Sequence, residues 1–323
     1  MPQTDRPLSS PTHPAIACIG GAVINRKYRS KRAILPRTSN PASLTVSYGG
    51  VARNVAENLA RLGYSVSLVS ALGDDVAGEV IRDHMQDLGV RMDHVTVSPD
   101  LPTAEYAAIL SDDGELFSAA AAMDILDSLT PEGLESVWPS LADQAWVFAE
   151  CNLPTDTLHL LLQSCRNLSV RLAVDTVSMP KAGRLPNDLT GIDVLFTNLD
   201  ESGALLGRSS AAPGELVQGL LARGAANVVL TMGSEGHLVG TQGSVSHQPA
   251  ISAEPVDVTG AGDALISATL HGLVRGESLE RAAEIGALLA GLTVQSELDV
   301  RPELSADWLH EQANRHAQKK PES

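Results

Sequence analysis

An alternation running through most of this chain limits its fold more than any other feature. Short β-branched and apolar runs, each about one strand long, are separated by segments whose apolar residues recur at helical spacing. The series begins with AIACIGGAV. GGVARNVAENLARLG follows, placing Val51, Val55 and Leu59 at helical spacing and Gly63 as a C′ residue. SVSLVSAL reads as a strand and DVAGEVIRDHMQDLG as a helix, and AWVFAE, LHLLLQSC, VRLAVDT, VLFTN and ANVVLTM continue the alternation. Such a series predicts an α/β fold: a doubly wound, mostly parallel sheet flanked by helices on both faces. The 323 residues are enough for one large domain with a small appendage.

Two stretches break the pattern. Residues 26–48 and 103–123 read as extended segments, the second turning at Asp113-Gly114 as a hairpin. They predict a small β lid, placed to close over a ligand beyond the carboxyl ends of the main strands. The lid region holds RKYRSKR, from Arg26 to Arg32, which reads either as part of that lid or as a solvated basic loop. The two ends, residues 1–14 and 311–323, are polar and carry no apolar periodicity, so both are expected to be disordered tails around a domain of residues 15–310.

Charge narrows the partners. With 23 Lys and Arg against 39 Asp and Glu, the formal charge is -16, which argues against nucleic acid or an anionic membrane as partner. No run approaches the roughly 20 apolar residues of a membrane span, and the N-terminus lacks the order of a signal peptide. Cys18, Cys151 and Cys165 have no metal-ligand spacing and read as reduced core residues, so a cytoplasmic location is expected. The histidines are scattered without ligand spacing.

An acidic protein that binds an anion needs local positive potential, and AEPVDVTGAGDALISATLHGLVRG offers it without a lysine cluster. Gly260, Ala261 and Gly262 leave their amides uncovered at the start of a helix, where the macrodipole favours negative charge. Asp263 stands where an N-cap residue is expected. The turn has neither the Gly-Lys-Ser/Thr of a Walker A loop nor the pattern G-x-G-x-x-G. A carboxylate beside an anion hole suits phosphoryl transfer to an alcohol: the amides hold the charge on the phosphoryl group and the acid takes the alcohol proton.

DVTGAGD resembles the C-terminal signature of the PfkB, or ribokinase-like, carbohydrate kinases. GGVARNVAENLARLG resembles their N-terminal signature, with glycine pair, asparagine and helix in the same order. The resemblance runs from about residue 14 to 310, and SNPASLTVSYGGVARNVAENLARLG is similar in particular to the pseudouridine kinase branch. It implies a ribokinase-like fold with a lid, ATP and Mg²⁺ as cofactors, a small nucleoside or sugar as substrate, and a homodimer paired through the lids. The implied reaction is phosphorylation of the 5′-hydroxyl of a ribonucleoside, pseudouridine in that branch. Other acceptors (ribose, adenosine or inosine) and a non-catalytic sugar or nucleotide sensor on the same fold stand as alternatives. An intact Asp263 speaks for the enzyme.

Carried over by position, the resemblance makes Asp263 the base and Gly260, Ala261 and Gly262 the anion hole. Gly49, Gly50 and Asn54 would meet the sugar, with Glu150, in FAECN, as a further sugar contact. TNLDE matches an Asn-x-x-Glu element, so Asn198 and Glu201 would arrange Mg²⁺ and phosphate through water. On the residues alone, it reads first as a helix start, with an N-cap and an acid in the first turn. TMGSEG resembles a nucleotide turn with Thr231 and Gly233 near ATP phosphates, and without the resemblance it reads as a hairpin. Asp257 and Val258 fall where relatives bind a monovalent cation such as K⁺. Arg53 and Lys181 are candidate phosphate contacts or solvated cations. One position departs from the pattern: Asn25 stands where the family usually has an aspartate that accepts from two sugar hydroxyls, and an amide offers only one acceptor oxygen.

Overall fold

The computed structural model describes residues 14–319, so the N-terminal segment 1–13, expected to be a tail, lies outside the described residues. The chain opens with β1 (Ala15–Ile19), β2 (Val23–Ser30) and β3 (Ala42–Gly49). After a helix at Val51–Arg61 come β4 (Ser65–Gly73), a helix at Val76–Asp87 and β5 (Arg91–Ser98). β6 (Ala104–Leu110) and β7 (Leu116–Ala122) form the hairpin expected at Asp113-Gly114, with Gly114 at φ 97°. The second half supplies β8 (Trp146–Glu150), β9 (Arg171–Asp175), β10 (Val194–Asn198), β11 (Val228–Thr231), β12 (His237–Thr241) and β13 (Ser244–Gln248).

Nine of these strands make one sheet in the order β13-β12-β11-β10-β9-β8-β1-β4-β5. From β5 to β11 every pairing is parallel, and β12 and β13 close the far edge antiparallel. A parallel sheet is covered on both faces, so its strands bury nearly every residue. β8 is buried throughout, and β4 is buried from Val66 to Gly73. Apolar side chains gather on both faces: Leu158, Leu161 and Leu216 pack on one side, and Ala52, Val55, Leu265 and Leu270 on the other. The fold expected from the alternation, a doubly wound α/β sheet flanked by helices, is the fold observed.

The two segments that broke the alternation meet as a separate four-stranded sheet, β3-β2-β6-β7. The solvated-loop reading of RKYRSKR does not hold for Arg26–Ser30, which lie in β2. Arg26 pairs with Glu105 at 2.8 Å, and Arg29 donates to the Asp112 carbonyl at 2.9 Å. A second correction concerns the C-terminus. Where a tail was expected from residue 311, a helix spans Ala306–Lys319. Its polar composition hides a short apolar stripe. Leu309 is buried against Leu62, Leu288 and Leu289, with Trp308 and Ala313 alongside, and Ser305 Oγ accepts from the Trp308 amide.

Candidate active site

The site is assembled at the carboxyl ends of the central strands, where open α/β sheets place ligands. Glu150 ends β8, Asp175 ends β9, Asn198 ends β10 and Thr231 ends β11. Glu150 stands opposite Asp175 in register, and Asn198 opposite Thr231. The glycine turn at 260–262 reaches this edge on the helix Ala261–Val274, which packs against both Leu279–Thr293 and Val51–Arg61.

Asp263 is not the N-cap. Gly260 takes that position at φ 77°, and Asp263 is the third helical residue, with its carboxylate free of capping duty. The left-handed backbone favours glycine at 260, and a Cβ there would also strike the Asp299 backbone. At Gly262, by contrast, an added Cβ meets nothing, because the residue opens onto the cleft. The Ala261 amide already donates to the Val258 carbonyl at 3.3 Å. The amides of Gly262 and Asp263, in the first helical turn, are left to face an anion.

Asp263 is 9% exposed, and its Oδ2 accepts from Asn54 Nδ2 at 2.6 Å. Burial pushes its pKa up to about 7, and the carboxylates of Asp299 and Glu150 push the same way. The Asn54 hydrogen bond and the Arg53 charge oppose the rise. A carboxylate poised near neutral pH is suited to taking a proton. Asn54, expected to meet a sugar, gives its amide to Asp263 in this structure. Its Oδ1 accepts from Arg53, whose guanidinium also binds the Glu57 carboxylate and the carbonyls of Gly49 and Tyr48. Arg53 is therefore a buried brace and not a free phosphate contact.

The other expected sugar residues divide in a similar way. A Cβ at Gly49 would collide with the Asn25 amide, and one at Gly50, at φ 94°, with the Gly21 carbonyl. Both glycines are required by protein atoms before any ligand arrives. Glu150 is fully buried; Oε1 accepts from the Gly21 amide and Oε2 from the Asn152 amide, each at 2.6 Å, so it braces the turn after β1. Burial raises its pKa, partly offset by those amides. Asn25, 8% exposed on β2, donates through Nδ2 to Asp299 Oδ2 at 2.9 Å. Lys181 donates to the Asn152 side-chain oxygen.

Asn198 and Glu201 form a capping box. The Asn198 side chain accepts from the Glu201 amide at 2.9 Å, and Glu201 Oε2 accepts from the Asn198 amide at 3.2 Å. Asn198 Nδ2 adds a bond to Oε1 at 2.7 Å, and Thr176 Oγ1 one to Oε2 at 2.5 Å. Thr231 and Gly233 line a cleft of about 610 Å³ together with Ala261 and Gly262, so the sequence-expected nucleotide turn and anion hole share one space. Its far walls are Ile251, Leu265 and Ala287, apolar enough for a flat ring. Asp257 fits a cation site poorly. Lys27 Nζ sits on its Oδ2 at 2.5 Å and on Thr259 Oγ1 at 3.2 Å, while Oδ1 takes the Thr259 amide and hydroxyl.

Residues 14–305 match the sequence profile of the pfkB family carbohydrate kinases. The chain belongs to that family. A curated relative, the pseudouridine kinase of Escherichia coli K12, is 29% identical over 296 residues, covering 90% of this chain and 93% of its own. The guanosine-inosine kinase of Exiguobacterium acetylicum is 26% identical over 289 residues, covering 87% of this chain and 94% of its own. Among solved structures, a carbohydrate kinase from Agrobacterium tumefaciens is 32% identical at a TM-score of 0.82, over 93% of this chain and 97% of that one. Arabidopsis thaliana ribokinase, solved with ribose and ATP, superposes at a TM-score of 0.81 with 24% identity, over 93% and 99% of the two chains.

Three residues at the site of this pfkB kinase escaped the sequence reading. Asp175 carries no motif beyond its place at the end of RLAVD. Desolvation raises its pKa, and so do Glu201, Asp263 and Glu150, while among the described residues its carboxylate accepts only from the Val177 amide at 3.1 Å. Asp299 lies in SELDV after the last core helix, where nothing but the fold brings it to Asn25. Lys27 was visible only as one charge in a basic run.

Proposed function

We propose that the protein transfers the γ-phosphoryl group of ATP to the 5′-hydroxyl of a ribonucleoside, with pseudouridine as acceptor. The arrangement at Asp263 carries this reading: a base poised at about 7 next in the chain to Gly262, which lines one cleft with Thr231 and Gly233. Asp263 takes the 5′-hydroxyl proton as the oxygen attacks the γ-phosphorus. The new O–P bond forms as the bond to the β,γ-bridging oxygen breaks, and ADP leaves with that electron pair. The amides of Gly262 and Asp263 face the transferring group, where charge shifts during the reaction. Relatives support ATP as donor and a ribose-bearing acceptor: one ribokinase was solved with ribose and ATP, and others are named for pseudouridine and for guanosine and inosine.

Mg²⁺ fits the carboxylates of Asp175 and Glu201: Asp175 is buried, and desolvation and the nearby Glu201 carboxylate raise its proton affinity, so an added cation there would be favourable. Both would hold the hydrated ion through water, and the ion supplies charge neutralisation at the phosphates. No monovalent cation is needed at Asp257, because the Lys27 ammonium already neutralises it. Leu44, Val46 and Ile109 are exposed on the face of the small sheet opposite Asn25 and Lys27. A second copy covering that face makes the homodimer, and Val46→Glu should separate it in light scattering. The buried free thiols accord with a cytoplasmic setting. No helix among the described residues is long and apolar enough to cross a membrane.

An ADP-release screen over pseudouridine, uridine, adenosine, inosine, guanosine, ribose and fructose tests the reading. The highest kcat/KM should fall to pseudouridine. A preference for fructose, or no ADP release with any acceptor, would refute it.

A further inference from the structure

The departure at Asn25 and the unexpected acid at 299 are one feature. Asp299 is 3% exposed, and its two oxygens differ: Oδ2 accepts from Asn25 Nδ2, whereas Oδ1 is shut from solvent with no hydrogen-bond partner among the described residues. A buried carboxylate with purely structural duty is expected to have both oxygens satisfied, since an orphaned charged acceptor is costly. The position of the acid is fixed. Its backbone lies against Gly260, so the side chain is anchored to the anion-hole turn. Lys27, Arg53, Asp257 and Asp263 all act on it electrostatically, which places it among the groups around the catalytic base.

We infer that Asp299 supplies the hydroxyl-accepting carboxylate of the acceptor site, with Asn25 holding Oδ2 and Oδ1 receiving a ribose hydroxyl when the side chains that enclose it give way on binding. The inference rests on the proposed kinase reading and adds a specificity-determining residue to it. An aspartate at 25 would accept from two hydroxyls by itself. Here the amide donates, and the acceptor function has moved across the site to the segment that follows the core helices. Exchange of the two residues should therefore be tolerated better than either change alone. Asn25→Asp by itself sets two carboxylates against each other, and Asp299→Asn leaves two amides and no charge.

The test is steady-state kinetics on whichever acceptor the wild type turns over, with its 2′-deoxy and 3′-deoxy analogues. Asp299→Asn should raise the acceptor KM by about ten- to a hundredfold, the usual worth of a hydrogen bond to a charged group. The KM for ATP should stay within twofold, and the preference for one ribose hydroxyl over its deoxy analogue should collapse. Asn25→Asp should also raise the acceptor KM, and the double variant Asn25→Asp/Asp299→Asn should recover most of the loss. Thermal melting of each variant separates a binding defect from a folding one, and the double variant keeps the test open if Asp299→Asn fails to fold. An acceptor KM within twofold in a folded Asp299→Asn protein overturns the inference and leaves the kinase reading standing. So does a double variant no better than the worse single change. A wild type inert toward every nucleoside and pentose overturns both.

Discussion

Asn54 Nδ2 donates to Asp263 Oδ2 across 2.6 Å, joining residues 209 positions apart in the chain. The bond ends a buried series in which Glu57 binds Arg53, Arg53 binds Asn54, and Asn54 binds Asp263. Its chemical effect has a definite sign. A donor to the carboxylate stabilises the charged form, so Asn54 holds down a pKa that burial drives up. Asn54→Ala should move the acidic limb of the kcat/KM profile to higher pH. Below the limb, each unit of displacement lowers activity about tenfold, and the displacement should be clear of any change in ATP affinity.

The wild-type profile should itself rise with pH and level off above about 7, because Asp263 accepts a proton only when ionised. Asp263→Asn should lose that limb and lower kcat by roughly 10²–10⁴. Stability runs the other way. A folded-state pKa above the ordinary value of 3.8 contributes stability that is full below that value and is lost as pH rises through about 7. Asp263→Asn, which cannot ionise, should therefore melt above the wild type at pH 8, with the gap closing toward pH 4. Equal melting temperatures at both pH values would contradict a buried acid whose pKa is raised to about 7.

The motif residues and the sheet were legible in the sequence for different reasons. The sheet was legible in short, continuous apolar runs, which burial on both faces imposes on every strand, and the turn at 260–263 in small residues beside an acid. Partners were not legible, because they depend on which distant segments meet. The sequence offers no sign that Asn54 meets Asp263, or that two backbone amides lie on the Glu150 oxygens. Asp299 belongs to no motif, and only the return of the chain after the helix Leu279–Thr293 brings it under Gly260. The helix Ala306–Lys319 was missed because its stripe is narrow and its ends are polar.

Two glycines of the same turn should fail in opposite ways. Gly260 is left-handed and pressed on the Asp299 backbone, so Gly260→Ala combines strain with collision and should destabilise the fold by about 1–3 kcal/mol or more. Among the described residues nothing fills the space beside Gly262, so Gly262→Val should keep the melting temperature within a few degrees while its side chain intrudes on the proposed phosphoryl position. Urea unfolding and kcat on the two proteins check this. A Gly262→Val enzyme with normal turnover would remove the anion-hole role of the turn.

The Lys27–Asp257 pair makes the last prediction. Lys27 reaches from the small sheet to the loop that precedes Gly260, and its ammonium lies on Asp257 Oδ2 and Thr259 Oγ1. The Asp257 pKa is lowered despite desolvation, because Lys27 and Thr259 more than offset the burial. A cation from solution would have to displace a tethered one, so wild-type rates should be the same in potassium and tetramethylammonium chloride at equal ionic strength. Lys27→Met keeps much of the apolar stem and removes the charge. Asp257 is then left part-buried without its neutralising partner, and the loop before Gly260 loses its tie to the small sheet. The variant should lose about tenfold or more in kcat/KM in tetramethylammonium, and potassium should restore part of it by occupying the vacated carboxylate. Initial rates of both proteins across a potassium titration decide the matter: a wild type strongly activated by potassium would show that Lys27 yields its place, and the pair would then be a closed-state tie rather than a built-in cation.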